Sequence, residues 1–457
     1  MTAELPLLRH VAPYGATYAG AIDLPALRAA HRARFQERET LAADGNLAAA
    51  LPFLQLWRSP LAGGVPVAPA AGWLEHLSRE AAGGRLRVRV LESERAVAGW
   101  MTGVAAACRG LLVATATGGP GLDRMADSLR GLGASGLGNA MVVNVARPAG
   151  GFPSCQEGDP SDALAHRDLG FVQIACRGVQ QIYDTVLQLP AVGMHPAVLT
   201  PTMPILWGVK DSHRTGKLVV EPDEAVNAFL DEALALGVST GRPEHADILA
   251  RAGADHPVPP GLLDGDTAMG ATVTSDWFAG FKANQKQRLQ NALAVVPEVA
   301  RAFERRFGRP GLSAFESHAM EEAEVALVAM GPDAGTALEL LPALSQAAGL
   351  RVGLLIVRMI SPFPSQAIAQ ALGEVSAVGV VNGAHHEGRG HLTVEIDAAL
   401  AERGTPLPVA SFFAGLGGGA VGRESWELIA RRTAEAARAG RPSKRWHLVQ
   451  DGVELEA

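Results

Sequence analysis

Cysteine is scarce in this chain: Cys108, Cys155 and Cys176 are the only three, and they stand far apart among 457 residues. With no C-x-x-C pair, the sequence encodes neither a disulfide framework nor a cysteine-ligated cluster or structural zinc site, and a cytoplasmic location is expected. Basic charge is short as well. Forty Lys and Arg against 47 Asp and Glu give a net charge of −7, which argues against a nucleic-acid partner because no basic surface is left to neutralise a phosphate backbone. No run of about 18 or more apolar residues exists to span a membrane. The start, MTAELPLLRHVAPYG, sets no long apolar stretch beside a basic opening, so export is not expected. Internal repeats and low-complexity tracts are absent too.

What is present is length and alternation. A chain of 457 residues that is 48% hydrophobic exceeds the size at which single cores stop growing, and two α/β domains are expected. RLRVRVL, GLLVATAT, AMVVNVA, FVQIAC and AVLTPT are short β-rich runs separated by stretches of helical length, the pattern of a parallel sheet covered on both faces. A Pro/Gly-rich connector, GADHPVPPGLLDGDTAMGATVTSD, then leads to a long amphipathic helix around NQKQRLQNALAVVPEVARAFERRF. Beyond it EVALVAMG, RVGLLIVRMI, AVGVVNG and LPVASFFAG alternate with helices in a second, smaller βα unit. The predicted organisation is an N-terminal extension (1–40), a first domain (41–240), a connector with its helix (241–322), a second domain (323–440) and a tail (441–457).

Ligand crevices of parallel sheets lie outside the carboxyl ends of the strands, and Glu92 and Glu94 of LESE fall at such an end. Local pattern leaves two readings. A carboxylate there is either a helix N-terminal residue favoured by the dipole or part of a site. The helix that follows, ERAVAGWMTGVAAA, is built almost wholly of small residues.

Seven motifs carry a resemblance: DGNLAAA, VPVAPAAG, ESERAVAGWMTGVAAA, TATGGPGLDRM, VVNVARP, GDPSDALAHRDLGFVQ and DSHRTGKL, in that order. Their order and rough spacing resemble the alpha subunit of the 2-oxoacid:acceptor oxidoreductases, the pyruvate:ferredoxin oxidoreductase family, over about residues 44–440. The resemblance implies a thiamine-diphosphate-binding-type parallel sheet domain on the pyrimidine side, followed by a smaller transketolase C-terminal-like α/β domain. It implies that Glu94 is the catalytic carboxylate, hydrogen-bonded to N1′ of the aminopyrimidine so that the 4′ nitrogen can remove the thiazolium C2 proton. Glu92 is then a cap or ion-pair partner, and small residues such as AVAG form a dry wall for the flat ring. Arg147 matches the family's arginine for the substrate carboxylate, a task that suits a bidentate guanidinium. Ala68 and Gly119 fall at the substrate, and Pro69 and Gly118 beside the cofactor.

The departures from the family are as telling. Ala68 stands for a substrate-contacting threonine, Ala70 and Ala71 replace two serines, and Gly118 and Gly119 replace polar residues. The pocket is expected to be less polar and roomier, for a bulky or aromatic 2-oxoacid. The diphosphate segment of G-D-G…N type is missing, since the DGD of Asp264 to Asp266 lacks a following strand and asparagine. The resemblance therefore implies a heteromeric complex: a beta subunit with the diphosphate and Mg²⁺ site, and gamma and ferredoxin-like delta subunits with iron–sulfur clusters. The reaction would oxidise and decarboxylate a 2-oxoacid to an acyl-CoA with coenzyme A.

Three further signals are weaker. HHEGRGH, His385 to His391, has metal donors, yet no metal is expected in that loop. GLGGGA, Gly415 to Ala420, fits a dinucleotide pattern but lacks the following acidic residue. Cys155 and Cys176 have no histidine beside them in sequence and read as plain small residues. The competing readings are a non-catalytic structural subunit of such a complex and a self-contained nucleotide-binding α/β enzyme.

Overall fold

Val113–Thr117 (VATAT) and Ala140–Ala146 (AMVVNVA) are buried at every position, as strands covered on both faces must be. A computed structural model describes residues 24–455 except 85, 109, 150–153, 240–274, 385 and 405, and in it these two strands lie at the centre of a seven-stranded sheet. The sheet runs in the order Met359–Ser361, Val172–Ala175, Thr202–Trp207, Ala140–Ala146, Val113–Thr117, Leu61–Gly64 and Arg87–Val90. All neighbours are parallel except the first pair.

One strand expectation needs correction, and one strand was not expected. The run AVLTPT is not a strand; the chain turns there, with Leu199 at φ 40°, and the strand is the following TMPILW. A short apolar run without periodicity is compatible with either. Leu61–Gly64 (LAGG) carries too little β propensity to stand out. Its glycine has a packing reason, since a Cβ on Gly63 would sit 2.4 Å from the Trp100 ring. A separate antiparallel pair, Glu39–Ala43 with Gly216–Val220, flanks the sheet.

One face of the sheet is covered by helices Gly45–Gln55, Ala71–Ala81 and Gly178–Gly193, whose Leu51, Trp73 and Tyr183 are fully buried together. The long helix Ser275–Phe307 adds Val295, Val299 and Phe303 to that core. Arg309, just past its end, binds the buried carboxylates of Asp184 (2.7 Å) and Glu221, fixing the helix to the first unit. Helices Glu94–Ala107 and Pro120–Ala134 cover the other face through Val97, Ala98, Met101, Leu122 and Met125. Of the extension, helix Leu24–Ala30 packs Leu27 against Trp57 and Leu111.

The second sheet also has seven strands, ordered Val453–Leu455, His447–Gln450, Val409–Phe413, Val378–Asn382, Val325–Ala329, Val352–Val357 and Phe315–His318, with antiparallel edges. Residues 447–455, read from the sequence as a tail, supply two of these strands. Helices Pro332–Ala348 and Arg423–Ala439 cover one face; Ser365–Ala371 and His391–Arg403 cover the other.

The two units are joined by backbone as well as by side chains. Met359–Ser361 leaves the second unit to become an edge strand of the first sheet. Beside it the buried Arg358 donates to the Ala175 carbonyl (3.3 Å) and to Thr185 Oγ1 (2.8 Å). Trp207 packs on Gly331, and Lys210 pairs with Asp333 at 2.7 Å. Gly331 has φ 73° and ψ −163°, a region that is nearly glycine-only, and a Cβ there would lie 2.5 Å from the indole of Trp207. Gly331→Ala is expected to destabilise the protein by about 2 kcal/mol or more, combining strain and overpacking. A thermal midpoint equal to wild type would show that this junction yields without cost.

Candidate active site

The chain order of the first sheet reverses between Leu61–Gly64 and Val113–Thr117. From Leu61–Gly64 the chain steps outward to Arg87–Val90, then crosses back to Val113–Thr117 on the other side. The crossover helices Ala71–Ala81 and Glu94–Ala107 consequently lie on opposite faces, and a crevice opens at the carboxyl ends of the strands between them. All six candidate site residues, Glu94, Arg147, Ala68, Gly119, Pro69 and Gly118, follow the carboxyl ends of four of these strands.

Glu94 is the first residue of its helix, capped not by Glu92 but by Ser93, whose Oγ accepts from Ala96 N at 3.3 Å. Glu92 lies exposed. The Glu94 side chain is only 10% exposed; its Oε1 accepts from Arg124 Nη1 at 3.2 Å. Gly121 lets the neighbouring helix come this close, because a Cβ there would meet Thr117 Oγ1 at 2.3 Å and Glu94 Oε1 at 3.4 Å. The small-residue helix is not a single wall: Val97 and Ala98 face the core, whereas Gly99 and Gly103 face open space.

Arg147 touches both Ala68 and Gly119. The guanidinium donates from Nη1 to the Ala68 carbonyl at 3.2 Å, and its stem fills the place of a Gly119 side chain, 2.5 Å from where a Cβ would be. A Cβ on Gly118 would lie 2.0 Å from the Val145 carbonyl. The space left by these two glycines is therefore occupied by Arg147 and by a neighbouring strand, and it does not enlarge the crevice. Ala70 likewise adds no room: it is buried and forms the N-cap of Ala71–Ala81 with no side-chain hydrogen bond. Ala68 alone among these substitutions is exposed at the rim. Pro69 is held by the buried Asn46, whose Nδ2 donates to its carbonyl at 3.1 Å.

Two residues of the arrangement were not singled out in the sequence, although both lie inside quoted motifs: Arg124 and Asp162. Asp162 sits on the short helix Ser161–Ala165, wholly buried, and accepts from Gly119 N (2.7 Å), Arg147 N (3.2 Å), Asn144 Nδ2 (3.3 Å) and Ala163 N (2.6 Å). Burial outweighs these donors and pushes its carboxyl from an ordinary 3.8 up to about 7.

The remaining motifs resolve differently. GLGGGA docks on the first unit: Gly417 N donates to Asp159 Oδ2 (3.0 Å), Cys155 Sγ donates to the Gly417 carbonyl (2.9 Å), and a Cβ on Gly418 would strike Glu157. The amides of Gly418 and Gly419 bond within the loop, so the phosphate cradle of a nucleotide site is not available there. His386 and His391 stack edge to face at 4.3 Å, and burial together with His386 lowers His391 to about 4. His385 and the DGD of Asp264 to Asp266 lie outside the described residues, and among the described residues no group of three or more His, Cys, Asp or Glu could hold a metal ion. Nor is any described helix long and apolar enough to cross a membrane.

Residues 61–257 match the family described as pyruvate flavodoxin/ferredoxin oxidoreductase, thiamine diphosphate-binding, and residues 323–425 match pyruvate:ferredoxin oxidoreductase core domain II. The chain is 27% identical over 390 residues to the NADH-dependent phenylglyoxylate dehydrogenase subunit alpha of Aromatoleum evansii, covering 84% of this chain and 88% of that one. It is 29% identical over 378 residues to the pyruvate synthase subunit PorA of Methanothermobacter thermautotrophicus, covering 82% and 90%. In fold it is similar to the 2-oxoglutarate:ferredoxin oxidoreductase from Magnetococcus marinus, with TM-score 0.57 and 17% identity, over 88% of this chain and 66% of that one, just under two thirds of the longer protein. The α/β fold class implied by the sequence is the one found: a thiamine-diphosphate-binding-type parallel-sheet domain followed by a second α/β domain, here matched by core domain II.

The raised Asp162 carboxyl has a consequence for stability. The folded protein binds a proton there between about pH 4 and 7 that the unfolded chain does not, so the contribution of this group is fully present below pH 4 and is lost as pH rises through 7. Asp162→Asn is expected to remove a negative slope of at most about 1.4 kcal/mol per pH unit from the stability curve in that window. Parallel curves for wild type and variant would show that Asp162 is ionised throughout.

Proposed function

The chain belongs to the pyruvate flavodoxin/ferredoxin oxidoreductase family, and from that premise we propose that it is the alpha subunit of a multi-subunit enzyme that oxidatively decarboxylates a 2-oxoacid to an acyl-CoA. The observation that carries the reading is Glu94: a carboxylate held nearly buried at the strand-order reversal, with one oxygen on Arg124 and the other taking no hydrogen bond from the described residues. That arrangement fits the pyrimidine side of thiamine diphosphate, because a free carboxylate lone pair in a mostly dry crevice is an acceptor for a ring N–H. The cofactor, when bound, supplies an acidic C–H whose conjugate base adds to ketones, and an electron sink for the loss of carbon dioxide.

This chain's residues have separable tasks. Glu94 Oε2 accepts the N1′ hydrogen bond, while Arg124 keeps Oε1 in place. Pro69, held by Asn46, and Gly118, packed on the Val145 carbonyl, would line the cofactor. Arg147 binds the 2-oxoacid carboxylate, and its contact with the Ala68 carbonyl orients the guanidinium along the rim. The diphosphate and Mg²⁺ belong to a beta subunit. Iron–sulfur clusters on gamma and ferredoxin-like delta subunits would accept the two electrons released with carbon dioxide, and coenzyme A would be the acyl acceptor.

Ala68 supports a substrate larger and less polar than pyruvate. A site without a hydroxyl at that exposed position loses a donor that would favour a small polar 2-oxoacid, and it leaves space beside Arg147. The likeness to a phenylglyoxylate dehydrogenase subunit supports the same reading.

Two measurements on the assembled complex test these roles. Glu94→Gln should leave assembly intact and lower turnover by about a hundredfold or more; near-normal turnover would remove Glu94 from the chemistry. The wild-type complex should show a higher kcat/KM for phenylglyoxylate than for pyruvate, and Ala68→Thr should move the ratio toward pyruvate by about tenfold. Pyruvate preferred by wild type, or an unchanged ratio in the variant, would overturn the substrate assignment.

A further inference from the structure

Asp162 is a buried carboxylate with no ion pair among the described residues, and burying such a group carries a cost that its hydrogen bonds only partly offset. Its bonds are distributed. Oδ2 joins Gly119 N, in the turn after one central strand, to Arg147 N, just beyond the end of the next. Oδ1 takes Ala163 N from its own helix and Asn144 Nδ2 from inside the strand that leads to Arg147. Gly119 is also the N-cap of helix Pro120–Ala134, which carries Gly121 against Glu94 and Arg124 onto its Oε1. One side chain thus ties the residue proposed to bind the substrate carboxylate to the helix that braces the proposed catalytic glutamate.

Resting on the function proposed above, we infer that Asp162 is a positioning residue that sets Arg147 for the 2-oxoacid carboxylate by clamping the Arg147 and Gly119 amides on one oxygen. The chemistry demands an acceptor on both sides. In the ionised form, which prevails above about pH 7, each carboxylate oxygen receives two N–H groups, whereas an asparagine, whichever way its amide is turned, points an NH₂ at two donors. The pair released on one side is Gly119 with Arg147, and on the other Ala163 with Asn144. Either loss frees the loop on which the guanidinium is built. Arg147 then keeps its charge but not its direction, and a displacement on the order of 1 Å in a bidentate contact is enough to weaken binding by tenfold or more.

The test uses the complex of this chain with its partner subunits, in wild type, Asp162→Asn, Arg147→Ala and the double variant. Each single change should raise KM for the 2-oxoacid by about tenfold or more while kcat falls by less than about threefold, the pattern of a lost ground-state contact. The double variant should be no worse than Arg147→Ala alone, since the two act through one contact. Amide hydrogen exchange, read without turnover, should accelerate in Asp162→Asn at segments 117–121 and 144–149 and be unchanged in helix 423–439. Normal KM and normal exchange in Asp162→Asn, or multiplying effects in the double variant, would overturn the role of Asp162 while leaving that of Arg147 in place. A normal KM in Arg147→Ala would instead overturn the site reading itself, and the positioning role with it. If Asp162→Asn does not assemble, Asp162→Ser retains one acceptor and is held to the same KM and exchange criteria.

Discussion

The reversal of strand order in the first parallel sheet is the constraint from which the rest of the site follows. Because parallel strands all end in the same direction, the segments after Leu61–Gly64, Arg87–Val90, Val113–Thr117 and Ala140–Ala146 meet along one rim. Because the chain turns back between the first and third of them, helices Ala71–Ala81 and Glu94–Ala107 leave on opposite faces and nothing of the sheet's own connections closes the gap. A carboxylate at the start of one helix and a guanidinium just past the end of a central strand are thereby placed along the same rim without being near in sequence.

Close approach at that rim is achieved by omission of side chains. Gly118 lets one turn lie on the Val145 carbonyl, Gly119 yields its place to the Arg147 stem, and Gly121 lets a helix start against Glu94. The cost of such a turn is conformational, and the buried Asp162 offsets it by holding two of the amides involved. Arg124 plays the complementary part on the solvent side, where its largely exposed guanidinium meets an almost buried carboxylate oxygen. Glu94 is thus met by a largely exposed cation, while the amides of Gly119 and Arg147 are held by a wholly buried carboxylate.

The second unit contributes rigidity to the first. Its Gly415 to Ala420 loop has the look of a phosphate cradle in sequence, yet its amides donate to Asp159 and to carbonyls of the loop itself, and its lack of Cβ atoms serves close contact with Glu157. Together with the strand Met359–Ser361, which crosses into the first sheet, the loop braces the 155–162 segment that carries Asp162.

The sequence by itself determined the two α/β units, the position of most strands and of the long helix, and the placing of Glu94 at a strand end, because apolar periodicity and glycine punctuation are local properties of the chain. It misplaced the strand before Trp207 and passed over LAGG, where four residues hold too little pattern. Motif resemblance named Glu94, Arg147, Ala68, Gly119, Pro69 and Gly118, but could not say what fills the space around each. Only the tertiary structure decided that Gly119 makes room for Arg147 rather than for a ligand, that Ala70 is a helix cap and not a pocket wall, and that Asp162, which follows Arg147 by fifteen residues, bonds back to its amide. Those are contacts between segments brought together by strand order, and strand order is set by which faces two crossover helices bury, a choice that no local stretch of sequence encodes.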